Sequence, residues 1–304
     1  MLLISVSYIL EKCKIASNFI EKNKLNEVFV IDSFGITSDS TYMIATGERD
    51  KERLTILNEI YNSFSLRFFK NCNIQKGVRV LELGCGIGIA SQMYASEVGK
   101  EGFVLATDIS EQQLQVARTL LPKEGISNLE FRRLSAFEID GLNEQFDVVC
   151  TRFLLVHLQD PEKVIQKVKK IIKPGGKLII EDITANHTFF CSPHTEGMDI
   201  LRHIDKLQCE VQQSNDEYFA FLPTLLEKEG FTILSTQKVH PKLDNPRKRK
   251  SILFHLSSLK EALLGTGKIM EKEYNHMFQK VLELEQNSSI EIFYYEFGQL
   301  CATV

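Results

Sequence analysis

Tryptophan is absent from this chain, and proline occurs only seven times in 304 residues. No stretch approaches the ~18 consecutive apolar residues of a bilayer-spanning helix, which excludes an integral helical membrane protein. An excess of one charge is also lacking: 36 Lys and Arg against 40 Asp and Glu leave a net charge of −4. A dedicated nucleic-acid binder needs a basic face to displace counterions from phosphates, so that class is disfavoured, although a local basic patch stays open. The seven cysteines (Cys13, Cys72, Cys85, Cys150, Cys191, Cys209 and Cys301) are odd in number, scattered and never in C-x-x-C. That pattern fits a reduced cytoplasmic protein and not a disulfide framework. Internal repeats and low-complexity tracts are missing too. With 43% hydrophobic and 25% charged residues the composition is that of a globular protein. The length suits two domains, or one α/β domain with insertions.

The apolar start, Met1–Leu10, lacks a basic flank, and Glu11–Lys14 is no small-residue cleavage site. Residues 1–23 are therefore expected to form a helix packed on the body of the protein, in preference to a signal peptide.

From Gly77 to Ile183 strand and helix signals alternate. Strands are expected at Val78–Leu83, Phe103–Thr107, Leu129–Leu134, Phe146–Cys150 and Lys177–Ile183, and the fourth, nearly all apolar, has the character of a strand covered on both faces. Helical stretches lie between them at Ile89–Val98, Glu111–Leu121 and after Asp160-Pro161, where Asp suits the N-cap and Pro the first helical position. Such alternation implies parallel pairing through right-handed crossovers and a doubly wound α/β sheet. Upstream, Asp50–Lys70 is an amphipathic helix. Downstream, Asn186–Ser214 is irregular and then helical, Asp216–Glu229 is a helix and Phe231–Val239 a strand. A basic linker at 241–249, helices at Ser251–Leu264 and Glu271–Glu285, and a last strand at Ile290–Thr303 complete the chain.

The sharpest motif is Glu82-Leu83-Gly84-Cys85-Gly86-Ile87-Gly88, at a strand-to-helix junction. Glycines let a ligand approach the backbone, and the following helix presents unpaired N–H groups. A dinucleotide fingerprint would place glycine or alanine where Ile89 stands, which disfavours a nicotinamide oxidoreductase, and the Gly-Lys-Ser/Thr of a P-loop is absent. Asp108 ends the second strand, 20 residues beyond Gly88. A carboxylate there can accept both hydroxyls of a ribose; its plain structural alternative is a helix cap.

With these features the sequence resembles class I S-adenosylmethionine-dependent methyltransferases. The matching segments are the glycine loop, Ala106–Ser110 with Gln113 and Ala117-Arg118, Leu134–Ala136, Phe146–Leu158 and Lys173–Leu178. A looser likeness, at Tyr42–Phe69, Leu222–Val239 and Tyr295–Ala302, points to a bacterial branch acting on small molecules. The resemblance implies a mostly parallel seven-stranded sheet, Rossmann-like, with helical cap insertions. It also implies an N-terminal helical extension over 1–40 and a core over 41–240 with a lid near 186–215. Residues 241–304 would add a helical cap and the strand that completes the sheet. The cofactor implied is S-adenosyl-L-methionine. Gly84 and Gly86 would pass under its methionine part, with Glu82 holding the loop or meeting the amino group. Asp108 would bind the ribose, Ile109 would lie against the adenine, and Ser135 and Ala136 would lie at its edge. Gln113 belongs to the same set. Arg152 and Phe153 would border the sulfonium, and Tyr42 and Arg53 would close over the cofactor.

Methyl transfer leaves the protein mainly the task of alignment. A histidine base would help a hydroxyl or protonated amine acceptor, and His157, just past the fourth strand, is the candidate, against a plain structural role. His187-x-x-x-Cys191-x-x-His194 has zinc-like spacing but no evident fourth ligand beyond His203 or Cys209, so no metal is expected. Cys150 lacks the preceding proline of a cytosine-C5 methyltransferase nucleophile, and Cys150–Phe153 replaces the Asp/Asn-Pro-Pro-Tyr motif of adenine-N6 enzymes. The expected partner is a small-molecule methyl acceptor, with nucleic acid disfavoured and no membrane, and a homodimer is compatible with the sequence. The alternatives are a protein or RNA methyltransferase docking through Arg247–Lys250, or a non-catalytic cofactor-binding protein. Phe219, Phe221 and Leu222 are expected in the core.

Overall fold

The computed structural model describes residues 51–122, 126–185, 188–212, 218–265 and 267–304. The helix expected over 1–23 and the candidate Tyr42 lie outside the described residues.

Chain order begins with α1 (Lys51–Asn71), β1 (Arg79–Leu83), α2 (Ile89–Val98), β2 (Phe103–Asp108), α3 (Glu111–Thr119) and β3 (Leu129–Arg133). A 3-10 turn at Ala136–Leu142 leads to β4 (Phe146–Arg152), and a second at Leu155–His157 leads to α4 (Pro161–Ile171) and β5 (Ile172–Ile183). Then come β6 (Phe190–Ser192), α5 (Glu196–Gln212), α6 (Tyr218–Lys228) and β7 (Thr232–Val239). The chain closes with α7 (Pro246–Arg249), α8 (Ser251–Ser258), α9 (Lys260–Gly265), α10 (Glu271–Gln286), β8 (Glu291–Phe293) and β9 (Phe297–Thr303).

Seven strands form one sheet in the order β3-β2-β1-β4-β5-β9-β7. Pairings from β3 to β5 are parallel, and β9 runs antiparallel between β5 and β7. Both faces are covered, which is why the central strands are almost wholly apolar. On one face Phe68, Phe69, Tyr94 and Val98 of α1 and α2 pack over Val80, Val148, Cys150, Ile179 and Cys301. On the other, Val164, Ile165 and Val168 of α4 and Leu222 and Leu226 of α6 pack over Leu81, Val149, Leu178, Ile180 and Leu300. Strand order reverses between β1 and β4, and the crevice beyond the carboxyl ends of strands at such a point is where open α/β sheets bind ligands.

Several expectations are corrected. The stretch Ile290–Thr303 is two strands, not one: β8 pairs with β6 in a separate ribbon, while β9 enters the main sheet. Tyr294–Glu296 makes the crossing, and its backbone is satisfied by Pro241, Thr184 and Thr188 instead of a ladder. The helix expected over Ser251–Leu264 breaks after Ser258, where the turn buries Leu259 completely. The basic linker contains the one-turn α7, whose N-cap Asn245 accepts the Lys248 N–H at 2.9 Å. Phe221 is 58% exposed, on the outer side of α6, while Phe219 and Leu222 are buried as expected.

Arg249 explains why that linker is ordered. It is buried, and its guanidinium donates to the backbone carbonyls of Leu284, Glu285, Asn287 and Ile290 at 2.6–2.8 Å. Those carbonyls lie at and just beyond the C-terminus of α10, where helical partners run out and a cation is favoured.

Candidate active site

The glycine loop adopts the left-handed backbone its residues allow: φ is +70° at Gly84, +55° at Gly86 and +71° at Gly88. The demand differs along the loop. A Cβ on Gly88 would stand 2.5 Å from the Phe131 ring and 3.0 Å from Ala117, so this glycine permits the packing of the loop on β3 and α3. A Cβ on Gly86 would meet nothing within 4 Å, so the space over this peptide is open.

Asp108 ends β2 beside the loop. Its Oδ2 accepts the Gly86 N–H at 2.9 Å and its Oδ1 accepts the Ser110 N–H at 2.9 Å. Burial pushes its carboxyl above the usual range, against the pull of these N–H groups. Ile109, next in the chain, is 52% exposed, an uncovered apolar side chain beside a buried carboxylate. Gln113, in the first turn of α3, is buried, and its Oε1 has no hydrogen-bond partner among the described residues. Ser135 caps the 3-10 turn that begins at Ala136 by accepting the Phe137 N–H. Open space over Gly86, an exposed Ile109 and an orphaned Gln113 oxygen lie together at the carboxyl ends of β1 and β2. An adenosyl group fits that chemistry.

Glu82 lies under the loop, buried, and accepts the Ser91 hydroxyl at 2.5 Å. Burial raises its pKa to about 7, against the pull of Ser91 and Arg152. It therefore braces β1 against α2.

At the exit of β4, Arg152 turns its guanidinium to α1, donating to Asn58 at 2.5 Å, Asn62 at 2.8 Å and Ser65 at 3.1 Å. A polar row crosses the sheet at this level: Arg152 is in register with Glu181, Glu181 with Gln299, and Gln299 with Gln237. Gln299 donates to Glu181 and accepts from Gln237. Phe153 follows with φ +54°, which is uncommon outside glycine. The N–H of Phe153 donates to the Glu181 carbonyl at 2.9 Å, and its ring packs on Tyr61 and Phe297 at 4.9 and 5.1 Å between centroids. His157 closes the following turn. Burial, and next the nearby Arg53, push its imidazole down to about 4, so it is neutral at ordinary pH and a weak proton acceptor. Asp182 underlies this turn, accepting the Val156 and Ile183 N–H groups, and burial lifts it to about 7.

Glu82, Gly84, Gly86, Asp108, Ile109 and Gln113 thus gather around the loop, with Ser135 and Ala136 just past the end of β3. Arg53 and His157 are neighbours beyond β4. Asn58, Asn62, Ser65, Glu181 and Gln299 escape sequence reasoning. The one signal in the sequence is Glu181-Asp182, two acids in an otherwise apolar strand. Of the zinc-like set, His187 lies outside the described residues, while His194 bonds Asp199 at 2.9 Å and Cys191 lies against Pro193.

A doubly wound sheet whose strand order reverses beside a glycine loop, with an acid ending the next strand, defines a class I methyltransferase, and its cofactor is S-adenosylmethionine. The profile of the methyltransferase domain family matches residues 74–280, and the chain belongs to that family. It is similar to the ubiquinone/menaquinone biosynthesis C-methyltransferase UbiE of Vibrio campbellii, with 26% identity over 176 residues, covering 51% of this chain and 68% of that one. It is also similar to the demethylmenaquinone methyltransferase of Listeria welshimeri, with 31% identity over 133 residues, covering 44% and 56%. A solved Bacillus halodurans structure, described as a methyltransferase, shares the fold with a TM-score of 0.50 and 19% identity, over 78% of this chain and 97% of that one. The chain thus spans little more than half to two thirds of the curated relatives.

Proposed function

We propose that the protein transfers a methyl group from S-adenosylmethionine to a small-molecule acceptor by in-line displacement. The observation that carries this reading is the open backbone at Gly86 beside the buried carboxylate of Asp108, close to the strand-order reversal. The Phe153 ring packs on a buried aromatic cluster of Tyr61, Phe297, Tyr294 and Phe189, from α1 and the later insertions. A buried aromatic cluster there suits a small acceptor and excludes water from the reaction.

The cofactor supplies an electrophilic methyl on a sulfonium. Asp108 accepts the ribose hydroxyls with the lone pairs its two N–H partners leave, Ile109 covers the adenine, and Gln113, Ser135 and Ala136 line that end. Gly84 and Gly86 bring the backbone close to the methionine part, with Glu82 beneath. Phe153 borders the methyl through its ring and backbone. Arg152 acts through α1, since its guanidinium is spent on Asn58, Asn62 and Ser65. Arg53 would close the cofactor side. The lid would come from α5, and the cap from the helices α7 to α10. None of the six described cysteines is in a disulfide, which fits a cytoplasmic location.

Docking of RNA or protein through Arg247–Lys250 is the weaker reading, because Arg249 is buried on carbonyls, Arg247 pairs with Glu59 and Lys248 with Asp244. Asp108→Ala is the direct test. Cofactor affinity by calorimetry should fall at least about tenfold, since a buried polar contact is lost. Unchanged affinity would remove Asp108 from the site. Incubation of the protein with methyl-labelled cofactor and cell extract should place label in the small-molecule fraction; label in RNA or protein would revive the basic loop.

A further inference from the structure

The elements from α5 to β9 enclose a hydrogen-bonded set of titratable side chains outside the glycine loop and Asp108. Asp205 of α5, His255 of α8 and Tyr295, between β8 and β9, meet at one carboxylate oxygen. His255 Nε2 lies 2.8 Å from Asp205 Oδ1, and the Tyr295 hydroxyl donates to the same oxygen at 2.7 Å. Tyr295 Oη and His255 Nε2 are 3.3 Å apart. Asp205 is 1% exposed and His255 6%. With Asp205 Oδ1 as the acceptor, His255 Nε2 is the donor of this bond, which leaves the second ring nitrogen, Nδ1, for a partner outside the set. Among the described residues Nδ1 has no hydrogen-bond partner.

Position gives this set a meaning. Tyr295 stands two residues before Phe297, which pairs with Ile183 at the carboxyl end of β5. Tyr61, stacked edge-on to Phe153, donates its hydroxyl to the Tyr295 carbonyl at 3.1 Å. Tyr61 therefore links the exit of β4 to the backbone of Tyr295, whose hydroxyl belongs to the set. The glycine loop and Asp108 occupy the β1–β2 side of the switch point, which leaves the β4–β5–β9 side for an acceptor.

Resting on the function proposed above, we propose that His255 is the general base for a hydroxyl-bearing acceptor, with Asp205 and Tyr295 as its positioning residues. The acceptor O–H proton passes to His255 Nδ1 while the oxygen forms its bond to the methyl carbon. The methyl–sulfur bond breaks and its electron pair stays on sulfur. The positive charge that entered on the sulfonium ends on the imidazolium, beside Asp205, an arrangement that stabilises it. His157, the candidate from sequence, stands beside the cation Arg53 instead.

The test uses the full chain, methyl-tritiated S-adenosylmethionine and a panel of catechols, hydroquinones and primary amines. Wild type should label oxygen. His255→Gln should lower kcat at least about a hundredfold with cofactor Kd unchanged. Asp205→Asn should lower kcat about tenfold with KM little changed. Thermal melting and cofactor Kd separate loss of fold from loss of the base, and His255→Ala should regain turnover with added imidazole. Label on nitrogen or carbon, no label on any panel member, or a His255→Gln rate within about threefold of wild type would overturn the proposal. Nitrogen-15 spectra of labelled histidine give a readout without turnover: the proton must sit on Nε2, and an Nδ1-protonated ring also overturns it. Failure of the wild type to bind the cofactor at all would overturn the function proposed above instead.

Discussion

The glycine loop with Asp108 and the helical region from α5 to α10 are built on opposite principles. In the loop the polar work is done by backbone: Asp108 is held by the N–H groups of Gly86 and Ser110, both within 22 residues of it in the chain. In the helical region the contacts are made by side chains reaching far along the sequence: Asp205 and His255 are separated by 50 positions, and Arg249 reaches across 35–41 to backbone carbonyls. Backbone-made sites tolerate change outside their glycines and acids, because every residue supplies an N–H. Side-chain-made sites depend on each member, since a buried polar group left without its partner costs about 1–3 kcal/mol.

The comparison can be broken first at Gly88. Gly88→Val would force a β-branched side chain at φ +71° into the Phe131 ring, and strain alone is worth about 1–3 kcal/mol. We expect loss of cofactor binding together with a fall in melting temperature, read by calorimetry and thermal unfolding. Cofactor binding at wild-type strength would show that loop and β3 can separate.

Arg249→Ala should be next in size and confined to the helical region. It strips four carbonyls of a donor, for a loss of about 3 kcal/mol. Hydrogen exchange at 284–290 should accelerate while cofactor affinity holds. Equal loss of cofactor affinity would mean that the two regions unfold as one.

Glu82 sharpens the comparison through pH. Its carboxyl is raised in the folded state to about 7 against an ordinary value of 4.5. Below 4.5 folded and unfolded forms are both protonated and burial costs nothing. As pH rises toward 7 only the unfolded form ionises, so stability falls over that interval and levels off above it. Glu82→Gln should match wild type near pH 4.5 and exceed it by up to about 3 kcal/mol at pH 8 in urea unfolding. A variant that is less stable at pH 8 would show that the Ser91–Glu82 brace outweighs desolvation.

Arg247→Ala is the smallest perturbation. The Arg247–Glu59 pair is exposed, so stability should change by less than about 1 kcal/mol, and RNA retention on a filter should not change at all. Loss of RNA retention would restore the basic loop as a dock.

Legibility followed the same division. The alternating core from β1 to β5, the loop and Asp108 were readable because their signals are local: apolar runs, glycines at a junction, one acid at a strand end. The placement of β9 between β5 and β7 was not, since the split of Ile290–Thr303 depends on which sheet each half meets. Nor was the destination of Arg152, whose partners lie 87–94 residues earlier on α1.

What the amino-acid sequence determined unaided was the class of fold and the glycine loop with the acid that ends the next strand, because backbone geometry and hydrophobic periodicity act over a few residues. Tertiary structure alone decided which histidine stands beside a carboxylate and which beside an arginine. It also turned a basic tetrad into the C-terminal cap of a helix. The physical reason is that charge, unlike periodicity, takes its meaning from neighbours in space, and those neighbours come from every part of the chain.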